Sequence, residues 1–426
     1  MTYEEAVAYF AKTPRFGKKP TLSRVRSLLK ELGNPEKSLK FAHIAGTNGK
    51  GSTAAMMESV LRAAGYRTGL FISPFVEDFR ERMQLCGQMI APEDLARHTA
   101  TVAAAVRALD ARGEEHPTEF ELVFAAAMCY FTEAKCDIVV LETGLGGRFD
   151  ATNAIASPEV CVITSISFDH MAQLGSSLTK IAYEKCGIIK RGCEVVCYPL
   201  LPDDVRTVID LTRADMAATL TVPDVAALTV HESGPAGSDI TYHARTLHVS
   251  LLGRHQIYNC VTALEALGAL ERRGFKIPAD AYARGIAACS FGGRLETICR
   301  HPLTLIDGAH NPSGIEALCE NLDALFPGRR IIALMGMLED KAYEACIPMV
   351  AKRSDVFIAV APPSPRALTA FAAAQCARPF CPYVFCPGSI PDAVALARKT
   401  AGDEDVIIVC GSLFMIGEAK REFLKE

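Results

Sequence analysis

The chain reads as an α/β protein: a phosphate-loop domain on a parallel sheet, carrying a small antiparallel patch, then a second, smaller Rossmann-like α/β domain. Three observations predict this. Apolar strand-like runs alternate with helical patterns from Phe41 onward, the first of these runs breaks into a glycine-rich loop, and the alternation restarts around Cys299–Pro302. Covered parallel strands are buried on both faces, so they read as short continuous apolar runs between helices.

Composition bounds the rest. With 426 residues, 50% of them hydrophobic, the chain has enough material for more than one domain core. A formal net charge of −4 without a long Lys/Arg run argues against nucleic acid or a membrane surface as partner. The start, MTYEEAVAYF, lacks the basic and apolar stretches of a signal peptide, and no apolar run is long enough to span a bilayer, so a cytoplasmic protein is expected. The sixteen cysteines are scattered singly through apolar segments with no Cys-x-x-Cys spacing, which suits reduced, buried thiols; Cys193 and Cys197 are expected to share a strand face.

The first domain is placed at residues 1–297. After the strand that begins at Phe41, its further strands are expected at Gly69–Ile72, Cys136–Leu141, Val160–Ile166 and Glu194–Tyr198, and its helices at Ser52–Ala64, Pro92–Arg112 and Glu119–Ala134. Between Leu220 and Leu252 the pattern turns to a period of two, as in DITYHARTLHVSLLG, which predicts the antiparallel patch; His243 and His248 there are read as surface or core histidines rather than ligands. A helix follows over Tyr258–Arg273. The second domain, 298–426, repeats the αβ pattern with parallel strands expected at Leu303–Ile306, Arg330–Met335, Val356–Val360 and Val406–Val409.

The most informative stretch is FAHIAGTNGKGST, residues 41–53. An apolar strand, a Gly/Asn/Lys loop and a helix start make an anion site: loop amides and the helix dipole face a phosphate, Lys50 adds a charge, and the Ser52 or Thr53 hydroxyl can reach a metal. The spacing is not a strict Walker A, because Ile44 replaces the first glycine and Gly51 separates Lys50 from Ser52; the expected ligand is still a nucleoside triphosphate. A second segment, CDIVVLETGLGGRFDATN, delivers Glu142 at a strand end, where a carboxylate opposite a phosphate loop suits Mg²⁺. A third, ITSISFDHMAQLGSSLTKIAYEKCGIIK, ends a strand on Asp169 and His170 and carries Glu184 and Lys185 on the next helix. Alone, Asp-His is a weak signal, and Lys185 reads as a surface lysine.

Taken in order, HIAGTNGKGST, LETGLGGRFDATN, DHMAQLG followed by EKCGIIK, LLGRHQIYN, FGGRLE and IDGAHNP resemble the folylpolyglutamate synthase/dihydrofolate synthase family of the Mur ligase superfamily. The resemblance runs from RFGKKPTLSRVRSLLKELGNP to GSLFMIGEAK, nearly the whole chain. It implies a two-domain, ATP- and Mg²⁺-dependent ligase, with a monovalent cation such as K⁺ as a further candidate. Such a ligase turns a folate carboxylate into an acyl phosphate that the amine of L-glutamate attacks. The implied partners are ATP, L-glutamate and a reduced folate or dihydropteroate, and the implied state is a monomer. By position, Asn48, Gly49, Lys50, Gly51 and Ser52 would cradle the phosphates, and Ser73, Glu142 and His170 would hold Mg²⁺. Lys185 matches the lysine carbamylated in this superfamily, so Lys50, His170 and Lys185 are the catalytic candidates. Asn259, Arg294, Asp307 and His310 would contact the nucleotide. Leu22, Ser23 and Arg24, with Thr118, Glu119 and Phe120, match segments near the pterin-bearing substrate.

Three positions depart from the family pattern: Phe75 stands where His follows Ser73-Pro74, Thr143 where Val is common, and Cys186 where Ala is common. Two rival readings fit the chain less well. A ligase acting on a cell-wall nucleotide precursor would carry an extra N-terminal domain, for which the roughly forty residues before the loop are too few. A non-ligating phosphate-loop ATPase would not need the second αβ domain.

Overall fold

The structure is a computed structural model that describes every residue except Phe16, Lys18 and Glu426. Phe16 and Lys18 belong to the RFGKKPTLSRV stretch at the start of the resemblance, so that part of the match lies outside the described residues. Two compact units are formed. The first comprises residues 1–229, 241–247 and 258–289, and the second residues 230–240, 248–257 and 290–426.

Eight strands make the main sheet of the first unit: β1 (Phe41–Ala45), β2 (Thr68–Phe71), β3 (Met83–Leu85), β4 (Gln88–Met89), β5 (Ile138–Glu142), β6 (Val160–Ile163), β7 (Glu194–Cys197) and β8 (Thr219–Thr221). Their order is β4-β3-β2-β5-β1-β6-β7-β8. From β2 to β8 every pairing is parallel. β1, β5 and β6 are buried along their whole length, which is why they read as unbroken apolar runs. One face is covered by the Ser23–Glu31, Pro92–Ala111 and Glu119–Glu133 helices around Phe71, Leu122, Phe124, Val139 and Leu141. The Lys50–Ala63 helix packs against the sheet and the Ala279–Ala287 helix packs on it, with the Ser59 hydroxyl donating to Gly285 O at 2.7 Å.

The main sheet is parallel as expected, and β3 and β4 add an antiparallel edge to it that the sequence reading did not include. Their signal is only MQLCGQM, and the turn is made by Cys86 and Gly87, both at positive φ (48° and 76°), a two-residue hairpin that a short sequence hides. Cys193 shares a buried core cluster with the alternate positions Val195 and Cys197, as expected of one strand face. It precedes β7, and its Sγ lies 3.7 Å from that of Cys161. Among the described residues all sixteen cysteines are free. No described helix is long and apolar enough to cross a membrane.

The period-two region forms β9 (Leu228–Gly234), β10 (Gly237–Tyr242) and β11 (Arg245–Val249), a separate three-stranded sheet of order β11-β10-β9. Two-residue connections at 235–236 and 243–244 allow only antiparallel neighbours. His243 and His248 are both largely exposed there.

The second unit holds a six-stranded sheet of β12 (Glu296–Arg300), β13 (Leu303–Ile306), β14 (Ile331–Met335), β15 (Val356–Ala359), β16 (Tyr383–Phe385) and β17 (Val406–Cys410), ordered β12-β13-β17-β14-β15-β16. All pairs are parallel except β12 on β13. β12 and β16 are edge strands with half-exposed residues, so neither shows the apolar run by which the four inner strands were legible.

Candidate active site

In an open parallel sheet ligands gather at the carboxyl ends of the strands. Four adjacent strands of the first unit, β2, β5, β1 and β6, end in polar residues here. After β1 the loop 46–49 is bonded onto the end of β6: Thr47 N donates to Ser165 O at 2.7 Å, and the Thr164 and Ser165 hydroxyls donate to Asn48 O at 2.8 and 3.1 Å. The loop closes at Gly49, whose φ of +83° and 2.5 Å clearance between a built Cβ and Asn259 Oδ1 leave no room for a side chain. From Gly49 the Lys50–Ala63 helix begins with no side-chain cap, so its first amides are open to an anion.

Lys50 donates to Thr47 O at 3.2 Å and lies 3.8 Å from the Glu142 carboxylate, which ends β5 in burial. The other Glu142 oxygen accepts from Ser73 N, after β2, at 3.1 Å. Cation, carboxylate and strand-end amide thus meet across three strands. The Ser52 hydroxyl, on the first helical turn, is buried without a hydrogen-bond partner. His170 sits before the short Met171–Leu174 helix in the left-handed region (φ 50°), its N–H donating to Asp169 Oδ1 at 2.8 Å and its side chain 45% exposed. Among the described residues no group of three or more His, Cys, Asp or Glu side chains is gathered as for a metal. A Mg²⁺ site on a phosphate loop needs no such cage, since phosphate and water fill most of its coordination sphere.

Lys185 ends the Leu178–Lys185 helix and is buried, where the local pattern taken alone suggests a surface lysine; its ammonium donates to Gly46 O at 2.6 Å. Burial first, and the nearby Lys50 cation second, pull its pKa down to about 7, against the opposing pull of Asp169 and Asp150. The turn 144–148 seats this helix end: Arg148 N donates to Glu184 O at 2.8 Å, and the Asn153 amide donates to Arg148 O and Gly187 O, both at 3.0 Å. Asp150, buried, gathers the turn by accepting from Leu145 N at 2.7 Å and from Thr152 N and Oγ1 at 3.0 and 2.6 Å. Burial raises its pKa. Asp150, Thr152, Asn153, Thr164 and Ser165 carry no role in the sequence reading. Their only signal was a cluster of small polar residues directly after strand ends.

The segments matched to the pterin side are brought to one region of this unit. Thr118 caps the Glu119–Glu133 helix in a capping box with Glu121. Phe120 lies against Gly144, where a built Cβ would meet its ring at 2.6 Å. Glu119 pairs with the buried Arg82 at 2.9 Å, whose guanidinium stands over Phe79 and Phe120, and Phe75 packs on Phe79. Arg24 is buried and engaged by Glu121 and Glu115 at 3.2 Å each, so its charge is already neutralised within the fold. Leu22 opens the Ser23–Glu31 helix on the core, while Ser23 is exposed and bonded to Thr21.

In the second unit Asp307 directly follows β13 and is buried, accepting from Leu295 N at 2.9 Å and Ala309 N at 2.8 Å. Burial raises its pKa while Arg294 pulls the other way. Arg294 donates to Gly293 O at 2.8 Å, and His310 Nδ1 lies 2.8 Å from Gly308 O. These three sequence candidates therefore share one strand end. Asn259, in the first unit, stands against Gly49 of the loop 46–49.

Comparison with known proteins adds independent findings. The Mur ligase middle domain matches residues 44–267, and the Mur ligase glutamate ligase domain matches residues 293–413. The chain is 33% identical over 429 residues to a dihydrofolate synthase/folylpolyglutamate synthase of Bacillus subtilis, covering 98% of each. It is also 33% identical to a folylpolyglutamate synthase of Lacticaseibacillus casei, covering 100% of this chain and 99% of that protein. A crystal structure of the Mycobacterium tuberculosis folylpolyglutamate synthase complexed with ADP and AMPPCP superposes with a TM-score of 0.90 at 29% identity, covering 100% of this chain and 98% of that one.

Proposed function

The chain belongs to the dihydrofolate synthase/folylpolyglutamate synthase family of Mur ligases, ATP-dependent amide ligases that add glutamate to folates, and from that premise we propose how its own groups divide the work. A carboxylate is a poor acyl donor because its leaving group would be oxide. Transfer of the γ-phosphoryl group of ATP to the folate carboxylate gives an acyl phosphate and ADP; the glutamate amine then attacks the acyl carbon, and phosphate leaves as the amide forms. The protein's part is to position the reactants and neutralise charge.

The observation that carries this reading is the meeting of Lys50, Glu142 and Ser73 N at three adjacent strand ends beside an uncapped helix. Asn48 to Ser52 bind the triphosphate, with Lys50 on its terminal phosphates. The buried, unpartnered Ser52 hydroxyl and the buried Glu142 carboxylate suit Mg²⁺, which Glu142, Ser73 and His170 would hold and which would neutralise phosphate charge. Lys185 acts as its carbamate, the anion left when the neutral amine adds to CO₂ and gives up one proton. A buried amine with a pKa near 7 is poised for that reaction. Asn259, Arg294, Asp307 and His310 contact the nucleotide. The Arg82–Phe120 region with Thr118, Glu119 and Leu22 to Arg24 faces the pterin-bearing substrate, and Phe75 gives it an apolar wall. Tetrahydrofolate and dihydropteroate are both proposed as acceptors, and the chain as a monomer. ADP release measured with each pteroate compound, with and without L-glutamate, tests this: release should require both partners, and release from ATP alone would sink the ligase reading.

A further inference from the structure

His43 lies in the middle of β1, level with Leu141 of β5 and Cys161 of β6, and is buried without exposure. Its Nε2 is 2.8 Å from Thr152 Oγ1, while Nδ1 is buried with no hydrogen-bond partner. Thr152 Oγ1 has one proton and places it on Asp150 Oδ1 at 2.6 Å. The threonine oxygen must therefore accept from His43, which makes His43 the neutral tautomer with its proton on Nε2. A second proton on Nδ1 would bury an N–H without an acceptor. Burial, and then Lys190, accordingly hold the His43 pKa down to about 3.

The chain of bonds continues from Asp150 into the glycine turn through Leu145 N, and the turn ends on the Lys185 helix. Arg148 N holds Glu184 O, and a Cβ at Gly147 would meet Lys185 O at 2.6 Å. Lys185 then returns to β1 through its bond to Gly46 O, three residues beyond His43. The ring of contacts is closed: one strand fixes both the backbone support and the ammonium of the same lysine.

We propose that His43 and Thr152 are positioning residues for the ligation, a buried donor–hydroxyl–carboxylate relay that holds the glycine turn in register against Lys185. Neither side chain touches a reactant. The inference rests on the reading of Lys185 as an active-site group. It differs from a general packing role in one respect: what matters is a donor at 43 and a hydroxyl at 152, not volume. Thr152→Val keeps the volume and loses both bonds, whereas Thr152→Ser keeps the hydroxyl. His43→Leu loses the donor, whereas His43→Gln restores an N–H near Nε2.

The test measures kcat, the KM for ATP and the thermal midpoint of all four variants, with ¹³CO₂ labelling of Lys185 followed by carbon NMR. Thr152→Val and His43→Leu should lose about 10- to 100-fold in kcat, the usual cost of a lost supporting partner, with KM for ATP within about twofold and reduced label on Lys185. Thr152→Ser and His43→Gln should recover most of the loss. Wild-type kcat in folded Thr152→Val and His43→Leu overturns the proposal, as does an equal loss in the serine and glutamine variants. A wild type that takes no label refutes the carbamate reading alone and leaves the kcat comparison to decide the relay.

Discussion

Lys50 and Lys185 share one small region and do opposite things with their charge. Lys50 is balanced by Glu142 at 3.8 Å, while the Lys185 ammonium is bonded to a carbonyl, Gly46 O, so burial and the neighbouring cation outweigh the opposing pull of Asp169 and Asp150. Lys50→Ala should stay folded, because Glu142 keeps its bond from Ser73 N and Lys185 is relieved of a neighbouring cation, yet its turnover should fall by about 100-fold or more. Near-normal ligation by that variant would remove Lys50 from the phosphate site. For Lys185 the pH dependence follows from a pKa lowered from 10.5 to about 7. An unfolded lysine keeps its proton throughout that interval while the folded one has lost it. The unfolded chain therefore binds more protons, and stability rises with pH from about 7 to about 10. Below about 7 both states are protonated and the full cost of the buried cation is present. Urea unfolding in CO₂-free buffer should show wild type gaining on Lys185→Met across that window, and parallel curves would contradict the shift. Lys185→Ala should be nearly inactive and partly restored by acetate. The local pattern alone reads Lys185 as a surface residue and only the resemblance pointed to an active-site lysine; the burial that lowers its pKa comes from the strand end placed over it.

At the scale of elements, the site depends on two loops that leave their strands at sharp angles. Gly49 is held at φ +83° against Asn259, so Gly49→Ala should tilt the first amides of the Lys50–Ala63 helix. Strain and crowding together should cost about 1 to 3 kcal/mol in denaturant unfolding, with a larger loss of ATP affinity. Unchanged nucleotide binding would mean that the loop does not hold the phosphates. The strands and helices that shape this site were legible from apolar runs and their periods. The β3–β4 hairpin, β12 and β16 were not, because edge strands of two to five half-exposed residues carry no run to read. The glycine turn at 144–148 was visible as a turn, but its use as a seat for the next helix was not. That contact joins residues about forty positions apart.

For the whole molecule, two units with separate cores carry the Mur ligase middle and glutamate ligase domains, and a ligand that binds the folded state should raise the unfolding midpoint. A non-hydrolysable ATP analogue at about 100 times its Kd should add about 2.7 kcal/mol in the presence of Mg²⁺, and much less to Glu142→Ala. Equal stabilisation of both proteins would remove Glu142 from the metal site. The sequence by itself determined the fold class, the glycine loop after the first strand, the family and the positions at which chemistry was to be sought. These are written in local patterns: apolar periodicity, glycine spacing and six short strings in a fixed order. Only the tertiary structure decided the environments. Parallel strands 41–45, 138–142 and 160–163 bring their ends together from far apart in the chain, and this places Lys50 beside Glu142 and buries Lys185 under Gly46. It also joins His43 to Thr152 across 109 residues and closes Arg24 into an ion pair. Charge, burial and hydrogen-bond partners are properties of neighbours in space, and the pairing of strands, not their sequence, sets who those neighbours are.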